Sequence, residues 1–124
     1  MSKDNKLRVV MVEPGKPAYE TEIENTLKAE QKAVGGYIEV LPLDNNGKLL
    51  ICNEEGKING MQGNRRFEND IIAGPFFVVG EDGDEFRSLT DEEVEDSLKR
   101  FAEPEEISQE EVENTISARV IFFG

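Results

Sequence analysis

The chain has 124 residues, the size of one ordinary domain, and 37% of them are hydrophobic, enough for a modest core. Its 27 acidic side chains against 14 basic ones leave a net charge of -13, which argues against a nucleic-acid binder that grips phosphates. With no histidine and one cysteine, histidine acid–base chemistry, Ser-His-Asp triads, Cys-rich zinc sites and internal disulfides are excluded.

Leu7-Arg8-Val9-Val10-Met11-Val12 is a short apolar run of the kind a buried strand shows. Glu13-Pro14-Gly15-Lys16-Pro17 breaks it, and Tyr19-Glu20-Thr21-Glu22-Ile23 alternates with the period of a half-buried strand, so the two are expected to pair as a hairpin. Asn25 is the expected cap of a helix whose face carries Leu27, Gln31, Ala33 and Val34, with Gly35-Gly36 as its stop. Tyr37 to Leu41 and Lys48 to Cys52 flank the turn signal Asp44-Asn45-Asn46-Gly47 and form a second hairpin.

Asn53 to Asn69 is polar, holds Gly56, Gly60 and Gly63, and reads as a long loop with room for one helical turn. Asp70-Ile71-Ile72 and Phe76-Phe77-Val78-Val79 are strand-like. Gly74-Pro75 interrupts them, and a proline places that point at an edge or a bulge. Glu81-Asp82-Gly83-Asp84 is a turn, and Glu85 to Ser88 a short strand. Thr90-Asp91-Glu92-Glu93 is a capping box that opens a helix with Val94, Leu98, Phe101 and Ala102 at helical spacing, closed by Pro104. Ser108 caps a short helix to about Asn114, and Arg119-Val120-Ile121-Phe122-Phe123 is expected as a closing strand. The total is an α+β fold: a single domain over 1–124, with a largely antiparallel sheet of about six or seven strands and two or three helices.

The acidic charge is concentrated. Residues 81–113 hold 15 acidic and three basic side chains, a net of -12, which leaves -1 for all the rest. Such an asymmetry marks either an interaction surface or a solvated face that keeps the protein in solution. No apolar run approaches the roughly 18 residues a membrane span needs. The charged start, Met1 to Lys6, is not followed by a long apolar stretch, so a cytoplasmic protein without a signal peptide is expected.

Several blocks recur together in order: Val12-Glu13-Pro14-Gly15-Lys16, Val34-Gly35-Gly36-Tyr37-Ile38-Glu39-Val40, and Ile51-Cys52-Asn53-Glu54-Glu55-Gly56-Lys57. Gly60, Asn64-Arg65, Asp70 through Phe77, Phe86, Leu89 through Glu93, and Phe101 follow. In these the chain resembles a family of small domains of unknown function encoded by phages, plasmids and conjugative elements of low-GC Gram-positive bacteria. The resemblance spans residues 7 to roughly 105. It implies no activity, only a setting in mobile elements, where small acidic proteins often block host defences.

Two sets of residues are candidates for binding. In the glycine-bearing loop, Arg65 and Arg66 could hold a small nucleotide-like anion through paired donors, Asn53 and Asn64 could read an amide or base edge, and Gly56 would let the backbone approach. The same glycines could serve turns only, with the arginines paired to Glu54, Glu55 or Glu68. On the capped helix, Asp91, Glu92, Glu95, Asp96 and Glu103 fall away from the apolar face. Such a row could imitate the phosphates of DNA and fill a basic groove on a host or defence protein, or it could be an ordinary solvated face.

Asp44 to Glu55 has acids at the first and twelfth positions of a calcium loop, but Leu49 stands where the sixth position needs glycine, so no metal site is assigned. Cys52 sits in an apolar strand with no histidine to activate it. Nothing singles out a catalytic pair, so no enzyme activity, catalytic residue or cofactor is expected. The leading expectation is a non-catalytic accessory protein that blocks a protein partner, with direct nucleic-acid and membrane binding excluded; the alternative is a small-anion sequesterer. An exposed edge strand, at Gly74-Pro75 or at the C-terminus, would support a homodimer.

Overall fold

The computed structural model describes residues 5–123, with side chains through residue 116. In chain order it holds β1 (Lys6–Val12), β2 (Tyr19–Glu24), α1 (Leu27–Val34), β3 (Ile38–Pro42) and β4 (Lys48–Asn53). Then come β5 (Gly63–Phe67), β6 (Asp70–Ala73), β7 (Phe76–Asp82), β8 (Glu85–Arg87), α2 (Asp91–Arg100) and α3 (Gln109–Phe123). The main sheet runs β2-β1-β7-β4-β3, with β8 paired to the far end of β7, and every pairing in it is antiparallel. β5 and β6 form a separate hairpin. The fold is therefore α+β, with an antiparallel six-stranded sheet, the two-stranded hairpin and three helices among the described residues. No helix among the described residues is long and apolar enough to cross a membrane.

The apolar runs take the inner strands because those strands are covered on both faces. On one face Val10, Val12, Leu50, Cys52, Phe76 and Val78 pack against α2 and the β5–β6 hairpin. On the other, Val9, Met11, Leu49, Ile51, Phe77 and Val79 pack against α1 through Val34. Strands with one wet face alternate instead, as β2 does, with Glu20, Glu22 and Glu24 exposed. Phe76 and Phe101 meet edge to face, with ring centroids 5.1 Å apart, which locks the C-terminal end of α2 onto β7.

Four local expectations are corrected. The cap of α1 is Thr26, whose hydroxyl accepts from the Ala29 amide, not Asn25. Part of the expected loop at Asn53–Asn69 is strand β5, which turns into β6 through Glu68 and Asn69. Glu68 there adopts φ 59, a conformation that Gly, Asn or Asp usually take, so the usual hairpin signal is missing. Gly74-Pro75 is not a free edge: Gly74, at φ 86, turns the chain out of β6 into β7, which is paired on both sides. The segment Arg119–Phe123, expected as a closing strand, belongs to α3. That helix starts with a second capping arrangement, Ser108 with Glu111, and meets no Gly or Pro before residue 124.

Candidate functional site

The acidic helix face is built from the cap upward. The Thr90 hydroxyl accepts from the Glu93 amide at 3.2 Å, and the Glu93 carboxylate accepts from the Thr90 amide at 2.9 Å. Both Glu93 oxygens also take the Arg87 guanidinium, at 2.8 and 2.9 Å, which brings the Glu93 carboxyl down to about 2. Val94 and Ser97 are then buried against the sheet. That rotation leaves Asp91, Glu92, Glu95, Asp96 and, beyond the helix end, Glu103 exposed. Asp91 is held by Arg8 at 2.6 Å, and Glu95 stands 4.0 Å from Lys99. Among the described residues Glu92, Asp96 and Glu103 form no ion pair.

The five residues of the glycine-bearing segment do not converge on one site. Asn64 is fully buried, donating to the Val12 and Gly74 carbonyls at 2.9 Å each, so it ties β1 to the β6–β7 turn. Arg65, 1% exposed, is among the largest fully buried side chains. Its Nη1 donates to the Asn64 carbonyl and side-chain oxygen, and its Nη2 to the Lys16 and Phe101 carbonyls at 2.7 and 2.8 Å. The Phe101 carbonyl lies at the negative end of α2, which suits a cation. Burial pushes the Arg65 guanidinium below its ordinary value.

Arg66 alternates to the surface, where Glu105 and Glu111 bind it at 3.2 and 2.8 Å. These partners lie about forty residues downstream, not among the local Glu54, Glu55 and Glu68. Asn53 caps its own turn by accepting from the Glu55 amide and donates to the Val34 carbonyl at the end of α1. Gly56 is packed against β6, where a Cβ would collide with the Ala73 backbone carbonyl.

Asn53 and Gly56 do border a cleft of about 610 Å³ between β3, β4, β6, the turn after β4 and α3, which contributes Ile116. Leu41, Cys52, Ile71 and Ile72 form its apolar wall, while Glu39, Glu54, Lys57 and Asp70 supply charge around it. Lys57 and Asp70 are paired with each other. The size suits a small molecule or a few side chains of a partner. Burial and the neighbouring Glu39 push the Cys52 thiol there up to about 12, which keeps it in the protonated form at neutral pH. The sequence reading missed this cleft. Its wall comes from elements far apart in the chain, and its one local trace is the apolar pair Ile71-Ile72 of β6, buried against α3 and the main sheet respectively.

Among known families, the model described as Domain of unknown function (DUF3846) matches residues 7–102. The match ends just past α2 and leaves α3 outside it. No curated protein and no solved structure matches the chain.

Proposed function

The chain belongs to the DUF3846 family of domains of unknown function, and from that premise we propose that it is a non-catalytic accessory protein of a phage or other mobile element. In this reading it binds and blocks a host or defence protein by setting its carboxylates in a basic groove that otherwise receives nucleic acid. The observation that carries the proposal is the outer face of α2 and the segment just after it, where Glu92, Asp96 and Glu103 are exposed and unpaired among the described residues. Carboxylates already held by arginines would have to give up those bonds to meet a partner; these do not. The setting in low-GC Gram-positive mobile elements rests on the ordered blocks between Val12 and Phe101.

The small-anion alternative has less support, since Arg65 is buried on carbonyl acceptors and Arg66 already lies between two carboxylates. The test compares the tagged chain with its Glu92→Gln/Glu95→Gln/Asp96→Asn/Glu103→Gln variant in lysate from phage-infected host cells. The chain is expected to retain a basic protein at low salt and release it as salt is raised past a few hundred millimolar, where screening is complete within a few ångströms. The neutralised variant is expected to retain none. A partner held equally by both, or held regardless of salt, would overturn the proposal.

A further inference from the structure

The two edges of the main sheet are finished in opposite ways. Backbone bonding between β1 and β2 runs through Asn25 and Asn5, so by alternation Tyr19, Thr21 and Ile23 face β1 and the outward backbone positions are Glu20, Glu22 and Glu24. Every outward residue of that edge is an exposed carboxylate, the usual guard against an added strand. On the opposite edge, Leu43 donates to Lys48 and Glu54 to Tyr37. The same alternation then turns Glu39 and Leu41 toward β4 and leaves Ile38, Val40 and Pro42 outward. All three are apolar, and no described strand pairs with them. This edge presents the amides of Ile38 and Val40 and the carbonyls of all three residues.

The surroundings match that edge. Among the described residues, three of the five large apolar side chains left exposed lie on this edge, just before it or in the adjoining cleft: Val40 at 45%, Tyr37 at 66% and Ile58 at 74%. Glu39 and Leu41, on the other face of β3, open directly onto the cleft, with Glu54 also bordering it.

We propose that β3 is a docking edge for an extended segment of a partner protein, which adds a seventh strand and alternates apolar with basic side chains. Side chains of an added strand alternate between faces in step with β3. Those on the Ile38–Val40–Pro42 face meet apolar neighbours. Those on the other face stand beside Glu39 and Glu54 at the mouth of the cleft, where a lysine or arginine is favoured. A second copy of the chain is a poor occupant. It carries the same charge of -13, and antiparallel self-pairing about Val40 sets Pro42, which lacks an N–H, against Ile38. This surface does not depend on the α2 reading, since the residues involved are different.

The test is an NMR titration of the full chain with a synthetic peptide of alternating valine and lysine. The controls are a valine–glutamate peptide and the same valine–lysine peptide N-methylated at alternate residues. The amides of Ile38 and Val40 are expected to shift, and their hydrogen exchange to slow by about tenfold or more at saturation. Neither control peptide should bind.

Val40→Pro removes an outward donor without touching the β3–β4 ladder, and Val40→Lys places a charge on the edge. Each is expected to weaken binding about tenfold or more. The Glu92→Gln/Glu95→Gln/Asp96→Asn/Glu103→Gln variant should bind like the parent, so failure here and failure of the α2 reading are told apart. The proposal is overturned if β3 amides do not respond, if the glutamate or N-methylated peptide binds as well, or if Ile38 and Val40 are already protected in a peptide-free dimer.

Discussion

Arg65 and Arg66 are neighbours in sequence with opposite fates. A strand sends successive side chains to opposite faces, so β5 puts Arg65 inside and Arg66 out. The interior position is tolerable because four carbonyl-type acceptors, one of them at the negative end of α2, meet the Arg65 guanidinium. Removing it would take a donor from the Lys16 and Phe101 carbonyls, leaving Phe101 only its bond from the Ala18 amide. Arg65→Ala is therefore expected to cost about 3–5 kcal/mol of stability, while Arg66→Ala, which loses only exposed ion pairs, should cost less than about 1 kcal/mol. Urea unfolding of the two variants checks this; equal costs would mean that the buried network contributes little. The sequence showed two adjacent arginines after a glycine, but their separation onto two faces was hidden because Glu68-Asn69 is not a recognisable hairpin turn.

At the scale of the element, α2 was the most legible part of the chain. Thr90 and Glu93 stand at cap and third position, and the start of the helix is observed as expected; of its expected apolar face Val94, Leu98 and Phe101 pack inward, whereas Ala102 is exposed beyond the helix end. What the spacing could not show is Arg87, which arrives from β8 and clamps the same Glu93. The pair has a pH signature. The Glu93 carboxyl titrates at about 2 in the fold, below its ordinary value, so its stabilisation is complete above that ordinary value and is lost as pH falls toward 2. Glu93→Gln is expected to lower stability by about 1–2 kcal/mol at neutral pH. The gap between the two proteins should close between about pH 5 and pH 2 when followed by denaturant unfolding. A gap that stays constant through that range would mean that Glu93 acts through its shape and not its charge. α3 carries the converse lesson: β-branched and aromatic residues near a terminus suggest a strand, but a capped helix with no breaker continues through them.

For the whole molecule, the balance of charge dominates. Surface ion pairs such as Arg8 between Glu20 and Asp91 are each worth little, whereas a net charge of -13 repels itself throughout the fold. Raising ionic strength from about 10 mM to about 0.5 M shortens the screening length several-fold, so the melting temperature is expected to rise by a few degrees. Calorimetry across that range decides it; a fall would show that the ion pairs outweigh the repulsion. The same charge separates the two proposed surfaces. Binding at α2 should be steeply salt-dependent, while binding at β3 should keep the share that comes from backbone ladder bonds and apolar contact.

The class of fold, the order of most elements, the capped start of α2 and the crowding of carboxylates into residues 81–113 were legible in the order of residues alone. Those follow from periodicity, turn chemistry and composition, which are local or additive. That Arg65 is interior, that β5 pairs with β6 in a sheet of its own, that a cleft opens beside Cys52, and that β3 and β2 end the main strand order emerged only once the chain was folded. These depend on which strands become neighbours. Strand pairing brings together residues far apart in the chain, and one residue of register decides which side chain is buried and which amide is left facing outward.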